Sequence, residues 1–418
     1  MKKLLIAGAA LALITGCNMK TNPLLTESSA PFGAPQFDKI ENEHYLPAFE
    51  TAIAEAKAEI DAIIANEEEP TFENTIEAME YAGETFGNVA SIFYNLMEAN
   101  TNDQMQEIAE QLSPMLTEYE MYVSLNPVLF EKVKTVYEKR NELGLAQDQM
   151  KLLEDNYKGF VRGGANLSDE DKELYSKWSE ELSLTTLQFS KNVLAATNAY
   201  VLNITDEADL AGLPEFVRTM AAETAAEKGL EGWAFTLQAP SYSPFLKYSE
   251  NRELRRQIWT AYNTRAIGGE FDNTEIVKKI VDLRIKIANI LGYETYADYA
   301  LEERMAKNKQ TVTEFIMNLL EPSLPFAKKD VADVFAYAKK NGFEGKRLES
   351  WDFSYWSEKY QQAEYSLSAE ELKPYFQLES CIDAVFGLAT RLYGISFTEL
   401  DNVPVYHEDV KVYEVKDA

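Results

Sequence analysis

The sequence predicts a mainly α fold with an N-terminal helical hairpin and a few short β-strands. Three observations carry this. Apolar residues recur at spacings of three and four over long stretches, and period-2 alternation is confined to short segments. In addition, 46% of the 418 residues are hydrophobic, enough for a sizeable buried core. No segment repeats at a fixed period, which argues against a solenoid.

In chain order, Leu46, Phe49, Ile53, Ala56, Ile60 and Ile63 form a stripe along one helix face, stopped by Asn66, three glutamates and Pro70. A second stripe runs Ile76, Met79, Gly83, Phe86, Ala90, Phe93, Met97. Two such helices with a short break predict an antiparallel hairpin with a shared apolar seam. A long helix should begin after Ser168, where Asp171 completes a pattern like a capping box. Further helices fit Pro214–Lys228, Asn251–Ala266, Glu275–Leu291, Thr311–Asn341 with Pro322 and Pro325 interrupting it, and Leu378–Leu392. Tyr200–Ile204 and Trp233–Gln238 read as a small ribbon around the helix between them, and Val403–Val415 reads as strand.

The N-terminus reads as an address. Lys2 and Lys3 precede an apolar run, Leu4–Ile14, too short to span a bilayer. It ends Ile14-Thr15-Gly16-Cys17, which resembles the lipobox of bacterial lipoproteins; the plainer alternative is an ordinary secretory signal with an incidental cysteine. The expected layout is therefore a signal peptide over residues 1–16, a lipid-anchored tether over 17–35 with acyl chains on Cys17, and a helical body over 36–418. Asn18 stands where aspartate would be the usual inner-membrane retention signal, so the expected location is the cell envelope, anchored in the outer membrane and facing the periplasm. Acylation of Cys17 would leave Cys381 as the one remaining thiol, so packing rather than a disulfide must stabilise the body.

Charge and histidine count restrict the chemistry. With 69 Asp+Glu against 40 Lys+Arg the net charge is −29, which argues against binding a phosphate backbone; no nucleic-acid partner is expected. Only two histidines are present, so a three-imidazole metal site cannot be built. His407-Glu408-Asp409-Val410-Lys411 matches His-Glu-x-x-His except at its last position, where Lys411 would place a positive charge. His407 is better read as a strand residue that packs or hydrogen-bonds. Glu41 and His44 have the Glu-x-x-His spacing of di-iron bundles, but no second copy exists, and His44 reads as a polar residue near a helix start. Many glutamate pairs could be proposed for glycoside hydrolysis, and nothing selects one. Glu67–Glu69 and Asp169–Asp171 read as solvated helix ends. Arg252, Arg255 and Arg256 lie on one helix beside Glu250 and Glu253; local ion pairing is the default, and binding a carboxylate the alternative. There is no Walker loop, dinucleotide fingerprint or CxxC pair.

Several stretches, in order, resemble one family. Asn22–Leu25, Pro31–Ile40 and His44–Phe49 resemble the start of bacterial peptidyl-dipeptidases, and Pro70-Thr71-Phe72-Glu73-Asn74-Thr75-Ile76 is the next strong match. Others are Leu112–Pro114, Asn126–Phe130, Gly164–Leu167, Phe189–Val193, Leu210–Pro214, Pro240–Tyr242, Arg284 with Leu291–Tyr293, Met305-Ala306, Trp351-Asp352, Pro374–Phe376 and Leu392–Gly394. The resemblance runs from about Asn22 to Asp417 and is to the zinc metallopeptidase family of thimet oligopeptidase and oligopeptidase A; the opening segment favours its peptidyl-dipeptidase branch.

That resemblance implies an elongated helical protein whose halves line a narrow channel, here one half-channel. It also implies a monomer acting on short unstructured peptides, with one zinc ion per full-length enzyme and release of C-terminal dipeptides. The family's His-Glu-x-x-His motif lies beyond a strand region like Val403–Val415 and is absent from these 418 residues, so no catalytic or metal-binding residue carries over. The sequence is accordingly expected to be an N-terminal portion, inactive alone. Its terminal strand should be unpaired, and the helices facing the absent half should expose apolar faces. The alternatives are a lipoprotein that binds peptides without cleaving them and a purely structural helical scaffold.

Overall fold

Helix α1 (Asn42–Ala65) shows how the sequence builds the N-terminal hairpin. In the computed structural model, which describes residues 22–366 and 369–417, its entry is fixed by His44, whose Nδ1 accepts the Glu41 N–H at 2.9 Å. Its buried face comprises Tyr45, Ala48, Phe49, Ala52, Ile53, Ala56, Ile60 and Ile63. The chain pauses at Gly83, in a left-handed conformation, between the single-turn α2 (Ala78–Tyr81) and α3 (Glu84–Ala99). The expected unbroken stripe from Ile76 to Met97 is therefore corrected: periodicity persists across a pause that the hydrophobic pattern does not register. Tyr45 and Phe49 meet Phe93 edge-on at 4.9 and 5.7 Å between ring centroids, Phe49 also meets Phe86 at 6.2 Å, and the Gly83 N–H reaches Glu59 Oε2 at 2.7 Å. Rising numbers on α1 meet falling numbers on the other side, so the hairpin is antiparallel as predicted.

Burial pushes the Tyr45 phenol up to about 12. A phenol whose folded value exceeds its unfolded value of about 10 stabilises the fold fully below pH 10, and that stability is lost as pH rises through the folded value. We expect unfolding free energy to fall by roughly 2–3 kcal/mol from this group between pH 10 and 12. Denaturant titrations of Tyr45→Phe over that range should show a slope shallower by about one proton; an unchanged slope would refute the assignment.

Contacts group the described residues into two units. The first runs to Asn66, then takes Ala78–Ile108 and Thr398–Glu414; the second takes Glu67–Glu77, Ala109–Phe397 and the residues from Val415. Besides the hairpin, the first contains most of a two-stranded sheet of β3 (Ser396–Leu400) and β4 (Val412–Lys416). Two expectations are corrected here. Residues 403–411 are not strand, because Pro404 and a turn at His407–Asp409 interrupt the alternation. The last strand is also not unpaired: Glu399 on β3 accepts from Tyr413 Oη on β4 at 3.5 Å, and β3 is its sheet neighbour.

In the second unit, the Pro70–Ile76 motif forms a π-helical turn, Phe72–Glu77. Thr71 N–H donates to Asn74 Oδ1 at 2.8 Å and Asn74 N–H to Thr71 Oγ1 at 3.1 Å, while Asn74 Nδ2 reaches Glu69 O at 3.0 Å. Periodicity marks no helix between residues 103 and 162, yet three are there: α4 (Asp103–Ser124, its first turns in the first unit), α5 (Pro127–Glu138) and α6 (Gln147–Arg162). A legible signal existed for α5, since Asn126 caps Val128 and Leu129 N–H and Pro127 opens the helix. α7 (Asp169–Ala199) starts as expected, with Ser168 Oγ accepting from Asp171 N–H at 3.2 Å.

The ribbon is confirmed in shortened form. β1 (Leu202–Ile204) pairs antiparallel with β2 (Trp233–Phe235), Leu202 opposite Phe235, and α8 (Glu215–Glu227) packs against β2. Gly232, at φ +87°, approaches so closely that a Cβ would lie 2.2 Å from Ile204 O. Phe235, Phe245, Leu210, Val217 and Ile258 form the core there. Next come α9 (Ala239–Tyr248), α10 (Arg252–Asn263), α11 (Thr274–Ile290) and α12 (Tyr296–Glu302). α11 packs antiparallel along α7: Lys279 pairs with Glu181 at 2.6 Å, and Asn273 bonds Asn192 and Phe189 O.

The last helices are α13 (Lys309–Lys340), α14 (Ser350–Tyr365), the short α15 (Ala369–Leu372) and α16 (Leu378–Tyr393). α13 corrects another expectation: it runs through Pro322 and Pro325. Three residues apart, the two prolines put both missing donors on one side of the helix, and the remaining ladder carries it through.

Candidate functional site

Both histidines, the residues best able to bear metal or acid–base chemistry, accept backbone N–H groups. The His44 imidazole serves the helix start: Nδ1 accepts the Glu41 N–H, and its carbonyl accepts Asn22 Nδ2 at 2.8 Å. This agrees with the sequence reading and leaves Glu41 and His44 joined through a helix cap. His407 also lends Nδ1 to the backbone, accepting the Asp409 N–H at 3.2 Å, with Asp409 Oδ2 3.6 Å away. It hydrogen-bonds as expected, but from a turn rather than a strand. Residues 407–411 are not helical, so Lys411 does not sit one helical turn above His407. Among the described residues no group of three His, Cys, Asp or Glu is arranged to hold a metal ion. The zinc ion that the resemblance implies therefore does not fit these described residues. Cys17 lies outside the described residues.

The arginine cluster on α10 makes ion pairs within the protein, and only part of that pairing is local. Arg256 pairs locally with Glu253. Arg252 and Arg255 instead bind a carboxylate about a hundred residues away, that of Asp352 at the start of α14. Arg252 Nε and Nη2 donate to Asp352 Oδ1 and Oδ2 at 2.9 and 2.8 Å, and Arg255 Nη2 reaches Oδ1 at 3.3 Å. Arg255 also donates to Ser249 O at 2.7 Å and Trp351 O at 3.0 Å. Burial lowers the Arg255 guanidinium from its usual value, against the pull of Asp352, while the bond to Asp352 raises that of Arg252. With Asp352 fully buried, the cluster is a structural clamp joining α9, α10 and α14, reinforced by Lys247 with Glu358 at 2.9 Å. Sequence reasoning misses Asp352 as the partner, because it lies about a hundred residues from the arginines.

A second cluster ties α6 to α12. Arg162 donates to Tyr299 O at 3.0 Å, lies over the Tyr299 ring at 4.2 Å and contacts Glu302, which also accepts from Tyr293 Oη at 2.5 Å. Hydrogen bonds from Tyr293 and then Arg162 hold the Glu302 carboxyl below its usual range.

Apolar faces are exposed, as expected, on the later helices. Phe315, Ile316, Leu320 and Phe326 on α13, and Leu378, Val385 and Leu392 on α16, are all more than two-fifths exposed. No helix among the described residues is long and apolar enough to cross a membrane.

Residues 245–418, which contain the Arg252–Arg255–Asp352 clamp, match the model of peptidase family M3. The dipeptidyl carboxypeptidase of Escherichia coli (strain K12) is 35% identical over 401 residues, covering 95% of this chain and 58% of that protein. This chain is similar to peptidase family M3. It is also 34% identical to the dipeptidyl carboxypeptidase of Salmonella typhimurium over 407 residues, 96% of this chain and 59% of that protein. Oligopeptidase A of E. coli is 34% identical over 402 residues, 95% of this chain and 58% of the relative. The chain thus spans under three-fifths of the length of the curated relatives it matches. The two kinds of relative differ by one percentage point of identity at most, which does not separate the branches.

Proposed function

We propose that this chain takes part in zinc-dependent hydrolysis of short unstructured peptides with release of C-terminal dipeptides, its own residues binding peptide and not supplying the zinc ligands. The observation that carries this is the 35% identity to a dipeptidyl carboxypeptidase across 95% of the chain. Short extended peptides as substrates and a monomeric working unit belong to the same proposal. The chain's own histidines cap backbone N–H groups; that favours a second reading, in which these 418 residues bind peptide without cleaving it.

Calorimetric titration of the purified chain with an N-acetylated tetrapeptide, with and without one equivalent of zinc, tests both readings when paired with chromatography of the products. We expect binding without dipeptide release. Chelator-sensitive release by this polypeptide would overturn the argument from its ligands, and the absence of any binding would sink the peptide-binding reading.

Lipid attachment at Cys17, with an envelope location in the outer membrane facing the periplasm, is part of the same proposal. It is supported by Lys2, Lys3, the Leu4–Ile14 run and the small residues before the cysteine. In cells fed labelled palmitate the chain should carry label and sediment with membranes, and Cys17→Ser should lose both properties. Label retained by that variant would remove Cys17 from the proposal.

A further inference from the structure

We draw no further inference here: the strongest candidate, the exposed apolar faces of α13 and α16, carries nothing because nothing in the structure shows what covers them.

Discussion

Asp352→Ala is expected to destabilise the protein by about 3–5 kcal/mol, read as a lowered urea midpoint with an unchanged slope. The carboxylate is fully buried and accepts from Arg252, Arg255 and the Glu349 N–H. Truncation leaves the Arg255 guanidinium, itself only 2% exposed, without its counter-charge. The cost is chiefly that of an uncompensated buried cation, not the net worth of the pair. The contrast is Glu253→Ala: its partner Arg256 is about half exposed, and such a solvent-screened surface pair contributes little. Equal losses for the two variants would show that the clamp is not the stabilising element its geometry indicates.

Phe93→Ala should cost about 3–5 kcal/mol, because it removes a fully buried ring and leaves a cavity in the hairpin seam. Phe93 is the common partner of Tyr45 and Phe49 and also meets Tyr94, so three edge-to-face contacts go with it. Phe93→Leu, which retains much of the volume, should recover a good part of the loss. If both variants melt like the parent, the shared seam of α1 and α3 is not where this unit's stability resides. Tyr81→Ala is the matched control, its ring being 72% exposed.

What could be read in advance follows from the range of each signal. The α1 stripe, the Ser168 cap and the β1–β2 alternation are local, and each was legible. Their determinants lie within a few residues and do not depend on what packs against them. The partner of Arg255 was not legible, because i,i+3 and i,i+4 rules point to Glu253-type neighbours and say nothing about a carboxylate 97 residues away. Gly83 escaped notice for another reason: a single left-handed residue stops a helix without disturbing its hydrophobic period. The Val403–Val415 segment was over-read because alternation ignores Pro404 and the short bond from Asp409 N–H back to His407 Nδ1. For the site, histidine scarcity was plain from composition. That each imidazole takes a backbone proton as acceptor required coordinates, since the cap depends on the torsion of residues around it.

The two ends of α13 differ in what it costs to open them. From Lys309 to Val331 none of its side chains is buried, while Val334 and Ala338 are locked into a cluster with Phe343, Tyr355 and Trp356. Unwinding the final turns must break that cluster, so it is coupled to the cooperative unfolding of its surroundings. Unwinding the earlier turns forfeits little beyond the Lys309–Asp298 ion pair and helix–coil free energy, the latter already reduced by about 3 kcal/mol for each of Pro322 and Pro325. One continuous helix therefore contains two thermodynamic regimes, a local one governed by propensity and a global one governed by packing, and the boundary between them falls near Val334.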